Sequence, residues 1–268
     1  MSKISETSKS GSASKPKYRT PALEKGLDII ELLADQPKGL SQGEIARILN
    51  RSVSEIFRML NCLQQRGYVI LQKPGDRYGL TLKLFELSHR HPPTRRLITE
   101  ALPLMTTITR TLDQSCHLAV YHDGRILVVA QVDSPGGLGF SVRMGAQLDL
   151  SLTSSGLVIL AFASKDDYEL MLSTLLAEST VPIDINSLSK RCAKIRKQGF
   201  DESASQQVRG VRNLSFPVLD FSGNAIATLA IPFLSRIDDI NAPNIDEARK
   251  LLSTASKTLS AAIGAPKE

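Results

Sequence analysis

The sequence predicts an α+β protein in two parts: helices closed by a short hairpin on the N-terminal side, then an antiparallel sheet flanked by helices. Three observations carry this. Apolar residues keep helical spacing through most of the first 112 positions, whereas from Ser115 onward strand-like and helical runs alternate. Charge is divided unevenly: residues 1–96 carry 17 Lys and Arg against 9 Asp and Glu, a net +8, and residues 97–268 carry 16 against 18, a net −2. The length, 268 residues, suits two domains with cores of their own.

Residues 1–19 (MSKISETSKSGSASKPKYR) are rich in Ser and Lys and poor in large apolar side chains, so a disordered basic tail is expected. Lys15, Lys17 and Arg19 at its end suit a solubilising tail or an arm that reaches into a nucleic-acid groove. Residues 21–34 (PALEKGLDIIELLA) read as the first helix, with Thr20 able to cap it and Leu23, Leu27, Ile30 and Leu33 as its stripe. Ser41 followed by Glu44 is a capping box that opens a second helix, striped by Ile45, Ile48 and Leu49. Asn50-Arg51 ends it, because Asn tolerates the left-handed conformation. Ser52 followed by Glu55 opens a third helix, with Val53, Ile56, Phe57, Leu60 and Leu63 as its stripe, Cys62 beside them in the core, and Gly67 at its end.

Two short helices across so tight a turn predict a helix-turn-helix. Residues 68–71, a turn at 73–77 and residues 78–82 then read as a two-stranded wing. Residues 20–82 are on this reading a winged helix-turn-helix, whose recognition helix enters a DNA major groove while the wing lies over the backbone or minor groove. The basic excess falls on the same residues, which is the footprint expected when the partner is double-stranded DNA. Arg58 is placed to pair with guanine, and Ser52, Ser54 and Glu55 stand on the turns that reach base edges. Arg47, Arg51, Lys73 and Arg77 are placed for phosphates, which position without specifying. Ser41 and Arg19 complete the candidate DNA-contacting set.

Residues 83–96 read as a helical connector, interrupted at His91-Pro92-Pro93, and residues 97–268 as the second domain. Leu97, Ile98, Leu102, Met105, Ile108 and Leu112 make a stripe that could pack a second copy of the chain. Strands are expected at 116–121, 125–132, 138–143, 211–218 and 225–233, and helices at 156–163, 166–178, 187–198 and 245–263. Residues 145–156 are small and irregular. Together with 213–217 they are the candidate pocket, where backbone N–H groups and hydroxyls would suit a small carboxylate or polyol. Thr153-Ser154-Ser155 can equally serve as a plain helix cap.

Several classes are disfavoured. Cys62, Cys116 and Cys192 are odd in number, widely spaced and without a C-x-x-C, which argues against disulfides and cysteine zinc sites. His89, His91, His117 and His122 lack metal-ligand spacing, so no metal is expected, and His117 suits a core or pocket-wall hydrogen bond. Neither a G-x-S-x-G elbow nor a P-loop occurs, so no catalytic residue and no cofactor is expected. No apolar run reaches about 18 residues, which leaves no membrane span. The N-terminus shows no apolar signal region, and a cytoplasmic location is expected.

The order of elements resembles the IclR family of bacterial transcription regulators over about residues 20–263. The resemblance rests on PALEKGLDIIELLA, LSQGEIARIL with FRMLNCLQQRGYV, the wing end RYGLTLKL, GAQLDLSLTSSGLVILAF, and RGVRNLSFPVLDFSGNAIATLAI. It implies a winged helix-turn-helix joined through a helical connector to a GAF-like domain, an antiparallel sheet flanked by helices. It also implies a homodimer or dimer of dimers, and DNA affinity controlled by a small-molecule effector from the organic, sugar or aromatic acids. The effector-binding residues then expected are Arg143, Met144, Gly145, Ser151, Thr153, Ser154, Ser155, Gln206, Asn213 and Ser215. This chain departs from the family at Ser54-Glu55, where Ser-Thr is frequent, so Glu55 would repel phosphate but could accept from a cytosine amino group. It departs again at Asp149-Leu150, Gln206-Gln207 and Asn213, all in the expected pocket.

Overall fold

The computed structural model describes residues 20–72, 75–90, 92–137, 139–239 and 241–265, for 88–90, 92 and 93 the backbone alone. The chain divides into two compact units between His91 and Pro92. That division falls inside the stretch 83–96 expected to connect them.

The N-terminal unit runs α1 (Pro21–Ala34), β1 (Leu40–Ser41), α2 (Gln42–Ile48), α3 (Val53–Gln65), β2 (Val69–Gln72), β3 (Arg77–Leu80) and α4 (Lys83–Arg90). Asn50 takes a φ of +49° between α2 and α3, the left-handed turn its short polar side chain permits. The wing is wider than the hairpin expected from sequence. Its antiparallel order is β1-β3-β2, with Leu40 opposite Tyr78 and Val69 opposite Leu80. Two residues of β1 carry too little pattern to be seen in sequence. Gly39 makes their pairing possible: its φ is +63°, and a Cβ there would stand 2.5 Å from the Tyr78 carbonyl oxygen.

Ile29, Leu33, Leu40, Ile45, Ala46, Ile56, Leu60, Val69 and Tyr78 form the core of this unit. The expected stripes are corrected at their edges. Leu23 and Leu27 of α1 are exposed while Ile29 and Leu33 face inward, so the helix is rotated relative to the 23-27-30-33 stripe. Ile48, Val53 and Phe57 are also exposed, because the core is shallow and on α3 is met by Ile56, Met59, Leu60 and Leu63. Cys62, expected in the core, is exposed. Thr20 occupies the N-cap position of α1, but its side chain makes no capping hydrogen bond.

The C-terminal unit contains α5 (Pro92–Leu112), β4 (Cys116–His122), β5 (Arg125–Val132), β6 (Gln147–Asp149), α6 (Ser154–Ala161), α7 (Lys165–Glu178), α8 (Ile185–Gln198), β7 (Asp201–Ala204), β8 (Val211–Leu219), β9 (Ala225–Leu234) and α9 (Ile245–Ile263). Its six strands form one antiparallel sheet in the order β6-β5-β4-β9-β8-β7. Strand alternation sends neighbouring side chains to opposite faces. Cys116 and Leu118 of β4 join the core made with α5 and α9, while Ala119 joins the core made with α6, α7 and α8.

The expected strand at 138–143 is not formed over 139–143, and Leu138 lies outside the described residues. The edge of β5 is taken by 145–149 instead. Gly145 N–H donates to the Val128 carbonyl at 2.8 Å and Val128 N–H to that of Ala146 at 3.0 Å. Pro135 has no N–H to give a ladder, and Gly136, Gly137 and Gly139 supply no side chains to pack. Strand β7, sequence DESA, is an addition that its polar composition hides. No described helix is long and apolar enough to cross a membrane.

Candidate functional site

The first site is the exposed face of α3. Two consecutive capping boxes hold the helix-turn-helix. At α2, Glu44 N–H donates to Ser41 Oγ and Ser41 N–H to Glu44 Oε2. At α3, Glu55 N–H donates to Ser52 Oγ, and Ser52 N–H and Oγ–H both donate to Glu55 Oε2. The second oxygen of Glu55 accepts from Lys25 Nζ of α1 at 2.5 Å. Hydrogen bonding from Lys25, and then from the Ser52 backbone, holds the Glu55 carboxyl down at about 2, so it is ionised throughout the physiological range. Gln42 Nε2 donates to the Val53 carbonyl and ties the head of α2 to that of α3.

The sequence-derived DNA set divides accordingly. Ser41, Ser52 and Glu55 are occupied as caps. Arg77 is tied down: Nε donates to the Lys38 and Gly39 carbonyls, and Nη2 lies 3.1 Å from Glu44 Oε2. The cytosine contact considered for Glu55 and the phosphate contact expected of Arg77 therefore both compete with intramolecular partners. Arg47, Arg51, Ser54 and Arg58 are exposed, and the three arginines make no ion pair among the described residues. Arg19 and Lys73 lie outside the described residues. Sequence reasoning missed Val53 and Phe57, each 53% exposed on α3. Apolar side chains on such a face suit thymine methyls. Their helical spacing looked like core, and only the depth of the core distinguishes the two.

The second site is a cavity of about 260 Å³ in the C-terminal unit, on the α6 face of the sheet. Register builds its floor: His117 of β4 stands opposite Ala230 of β9, which stands opposite Ser215 of β8. Ala230 is small, and the row His117-Ala230-Ser215 leaves a hollow that the head of α6 overlies. Thr153 caps α6 through Gly156 N–H and itself donates to the Asp149 carbonyl. Gly156 permits the close approach, since a Cβ there would lie 2.2 Å from the Leu150 carbonyl oxygen. Ser154 and Ser155 are thereby buried, as are His117 and Ser215. His117 Nε2 is 3.4 Å from Ser155 Oγ, and burial lowers its pKa to about 4, so the ring is neutral. Ser154 Oγ and Ser215 Oγ find no hydrogen-bond partner among the described residues.

Of the ten residues expected here, Arg143, Thr153, Ser154, Ser155, Asn213 and Ser215 line this cavity. The other four do not. Ser151 is captured by Asp149 Oδ1, which accepts from both its N–H and its hydroxyl. Gly145 is committed to the Val128 carbonyl, Met144 is exposed, and Gln206 lines a different groove, whereas its neighbour Gln207 lines the cavity. Phe140, Val142 and Leu148 supply apolar wall. Among the described residues no three His, Cys, Asp or Glu side chains gather as a metal site requires.

The model of the family described as "Bacterial transcriptional regulator IclR C-terminal" matches residues 93–261, and that of the "IclR helix-turn-helix domain" matches residues 22–70. The chain is 29% identical over 224 residues to the HTH-type transcriptional regulator KdgR of Escherichia coli K12, covering 82% of this chain and 84% of that protein. The fold is shared with an IclR structure from Thermotoga maritima (TM-score 0.72, 24% identity, 90% of this chain and 98% of that one). It is shared too with an IclR homolog from Microbacterium hydrocarbonoxydans in complex with 4-hydroxybenzoate (TM-score 0.75, 19% identity, 90% and 98%). With both halves matched in order, the chain belongs to the IclR family of bacterial transcription regulators.

Proposed function

We propose that this regulator's affinity for its DNA operator is set by a small carboxylic acid bound in the cavity beneath α6. The observation that carries the reading is the pair of buried hydroxyls, Ser154 Oγ and Ser215 Oγ, which face one hollow and have no partner among the described residues. A buried polar group left unpaired costs about 1–3 kcal/mol, so a ligand that accepts from both gains by binding. The head of α6 adds its dipole and Arg143 a positive charge, and both favour an anion. Neutral His117 and Asn213 offer hydrogen bonds suited to a hydroxyl or carbonyl elsewhere on the ligand. At about 260 Å³ the hollow is below the usual 300–1,000 Å³ of drug-sized sites, which favours a compact hydroxy, sugar or aromatic acid. The 4-hydroxybenzoate of the Microbacterium protein belongs to that class.

The DNA half of the reading assigns base contacts to Ser54 and Arg58 and phosphate contacts to Arg47 and Arg51. The stripe expected to pack a second copy is spent within the unit, where Leu97, Met105, Ile108 and Leu112 are buried; exposed Leu23 and Leu27 on α1, and Leu84 and Leu87 on α4, are instead the apolar faces that a second copy would cover, in keeping with a dimer. Coupling requires that the acid bind DNA-competent and DNA-incompetent arrangements with different affinity, and the effect is reciprocal. A thermal-shift screen of small carboxylic acids, followed by titration of DNA selected by the protein itself, tests this. An acid that raises the melting temperature should also change DNA affinity, and Ser215→Ala should abolish both responses. If no acid alters either property, the sensor reading fails.

A further inference from the structure

The carboxylate at the head of α3 sits on the face that meets a polyanion, and the structure supplies its counter-charge from elsewhere in the unit. We infer that Lys25 and Glu55 are a positioning pair: Lys25 of α1 cancels the carboxylate that caps the DNA-reading helix, so the cap is kept without a free negative charge facing phosphate. The inference rests on α3 being that helix.

The demands on Glu55 conflict. As the third residue of α3 it completes a capping box, and an anion there is favoured by the helix dipole. DNA brought to the same turn carries a charge about every 1.7 Å of its axis, and an uncancelled carboxylate would oppose it. The geometry answers both demands. Oε2 is turned back onto Ser52 N–H and Oγ–H, and Oε1 receives Lys25 Nζ from a helix 30 residues earlier. Each oxygen has a protein donor, and the side chains are 20% and 31% exposed. The pair spans the same two helices whose Ile29, Leu33, Ile56 and Leu60 share the core, so it also fixes the angle at which α3 leaves that core. Lys25 is thus a positioning residue and not itself a DNA contact.

The test uses the full-length protein to enrich a fragment from a random DNA pool. That fragment and an unselected one are then titrated with Lys25→Met, Glu55→Gln, the double variant and Lys25→Arg. Lys25→Met should lose about tenfold on both fragments, as one uncancelled charge against the phosphates would cause. Glu55→Gln added to it should restore binding to within about twofold, because Gln retains the capping box and removes the charge. Lys25→Arg should bind as the parent does, and Glu55→Gln alone should enrich the same sequence. Undiminished binding by Lys25→Met overturns the pair. So does a double variant as weak as Lys25→Met, which is what a merely structural lysine would give. An altered sequence enriched by Glu55→Gln makes Glu55 a base reader and overturns it too. A parent protein that enriches no sequence at all overturns the reading of α3 itself, which is a different failure.

Discussion

The starts of α3 and α6 are both capped by a hydroxyl residue, yet they leave their polar atoms in opposite states. At α3 the cap is a reciprocal box: every oxygen of Glu55 has a donor, and the surface around it is exposed. At α6 the residue in the equivalent place is Gly156, which can return no hydrogen bond through a side chain but lets the helix press onto Leu150. That approach buries Ser154 and Ser155 beside a hollow and leaves Ser154 Oγ without a partner among the described residues. A helix start with all its polar atoms satisfied can be offered to a large external surface without changing shape. A start with polar atoms in reserve is suited to a small guest. The difference turns on one residue three places after the cap.

The comparison is broken most directly at Gly156. Gly156→Ala should cost about 2–3 kcal/mol through forced displacement from Leu150, seen as a melting-temperature drop of roughly 5–10 °C for a domain of this size. A variant that melts within a degree of the parent would mean that the close approach does not define the cavity. Next in size is Arg58→Ala on the other helix. It should weaken binding to the selected fragment by about 1–3 kcal/mol, the worth of a bidentate base contact, with little effect on random DNA. Equal losses on both would reduce Arg58 to a phosphate contact.

Acid tests the wall of the hollow separately. His117 is neutral in the fold because burial lowers its pKa from 6.5 to about 4. The unfolded chain takes up that proton first, so its contribution is fully present above about pH 6.5 and is lost as pH falls toward 4. His117→Gln should flatten this part of the stability profile, measured by chemical denaturation between pH 7 and 4. An unchanged profile would mean that another group controls it. Smallest of all is Arg77→Ala. Its guanidinium is spent on Glu44 and two carbonyls, so the salt dependence of DNA binding should keep its slope. A slope reduced by about one would return Arg77 to the phosphates.

Local signals in the sequence reached a long way into this molecule. Ser41 with Glu44, Ser52 with Glu55, Asn50 between the helices and the run at 153–156 each act within four residues, and each was legible for that reason. The helix Pro21–Ala34, the strand Arg125–Val132 and the closing helix Ile245–Ile263 were legible from apolar runs and the Pro and Asp-Gly signals that open the first two. Depth was not. Val53 and Phe57 keep the spacing of core residues on a helix whose core is too shallow to take them. Edge strands were not legible either: β1 and β7 are short, and residues 139–143 gave up the β5 edge to a neighbouring segment.

Composition and residue spacing by themselves determined that a basic helix-turn-helix precedes a sheet domain with a small-residue loop, because those properties belong to single segments. The tertiary structure decided which partners the segments' polar groups meet. Lys25 meets Glu55 across 30 positions, Arg77 meets Glu44 across 33, and His117, Ala230 and Ser215 share a row only because three strands are paired in that register. Distance along the chain places no restriction on such meetings, so only the packed fold could show which charges are already spent and which hydroxyls remain.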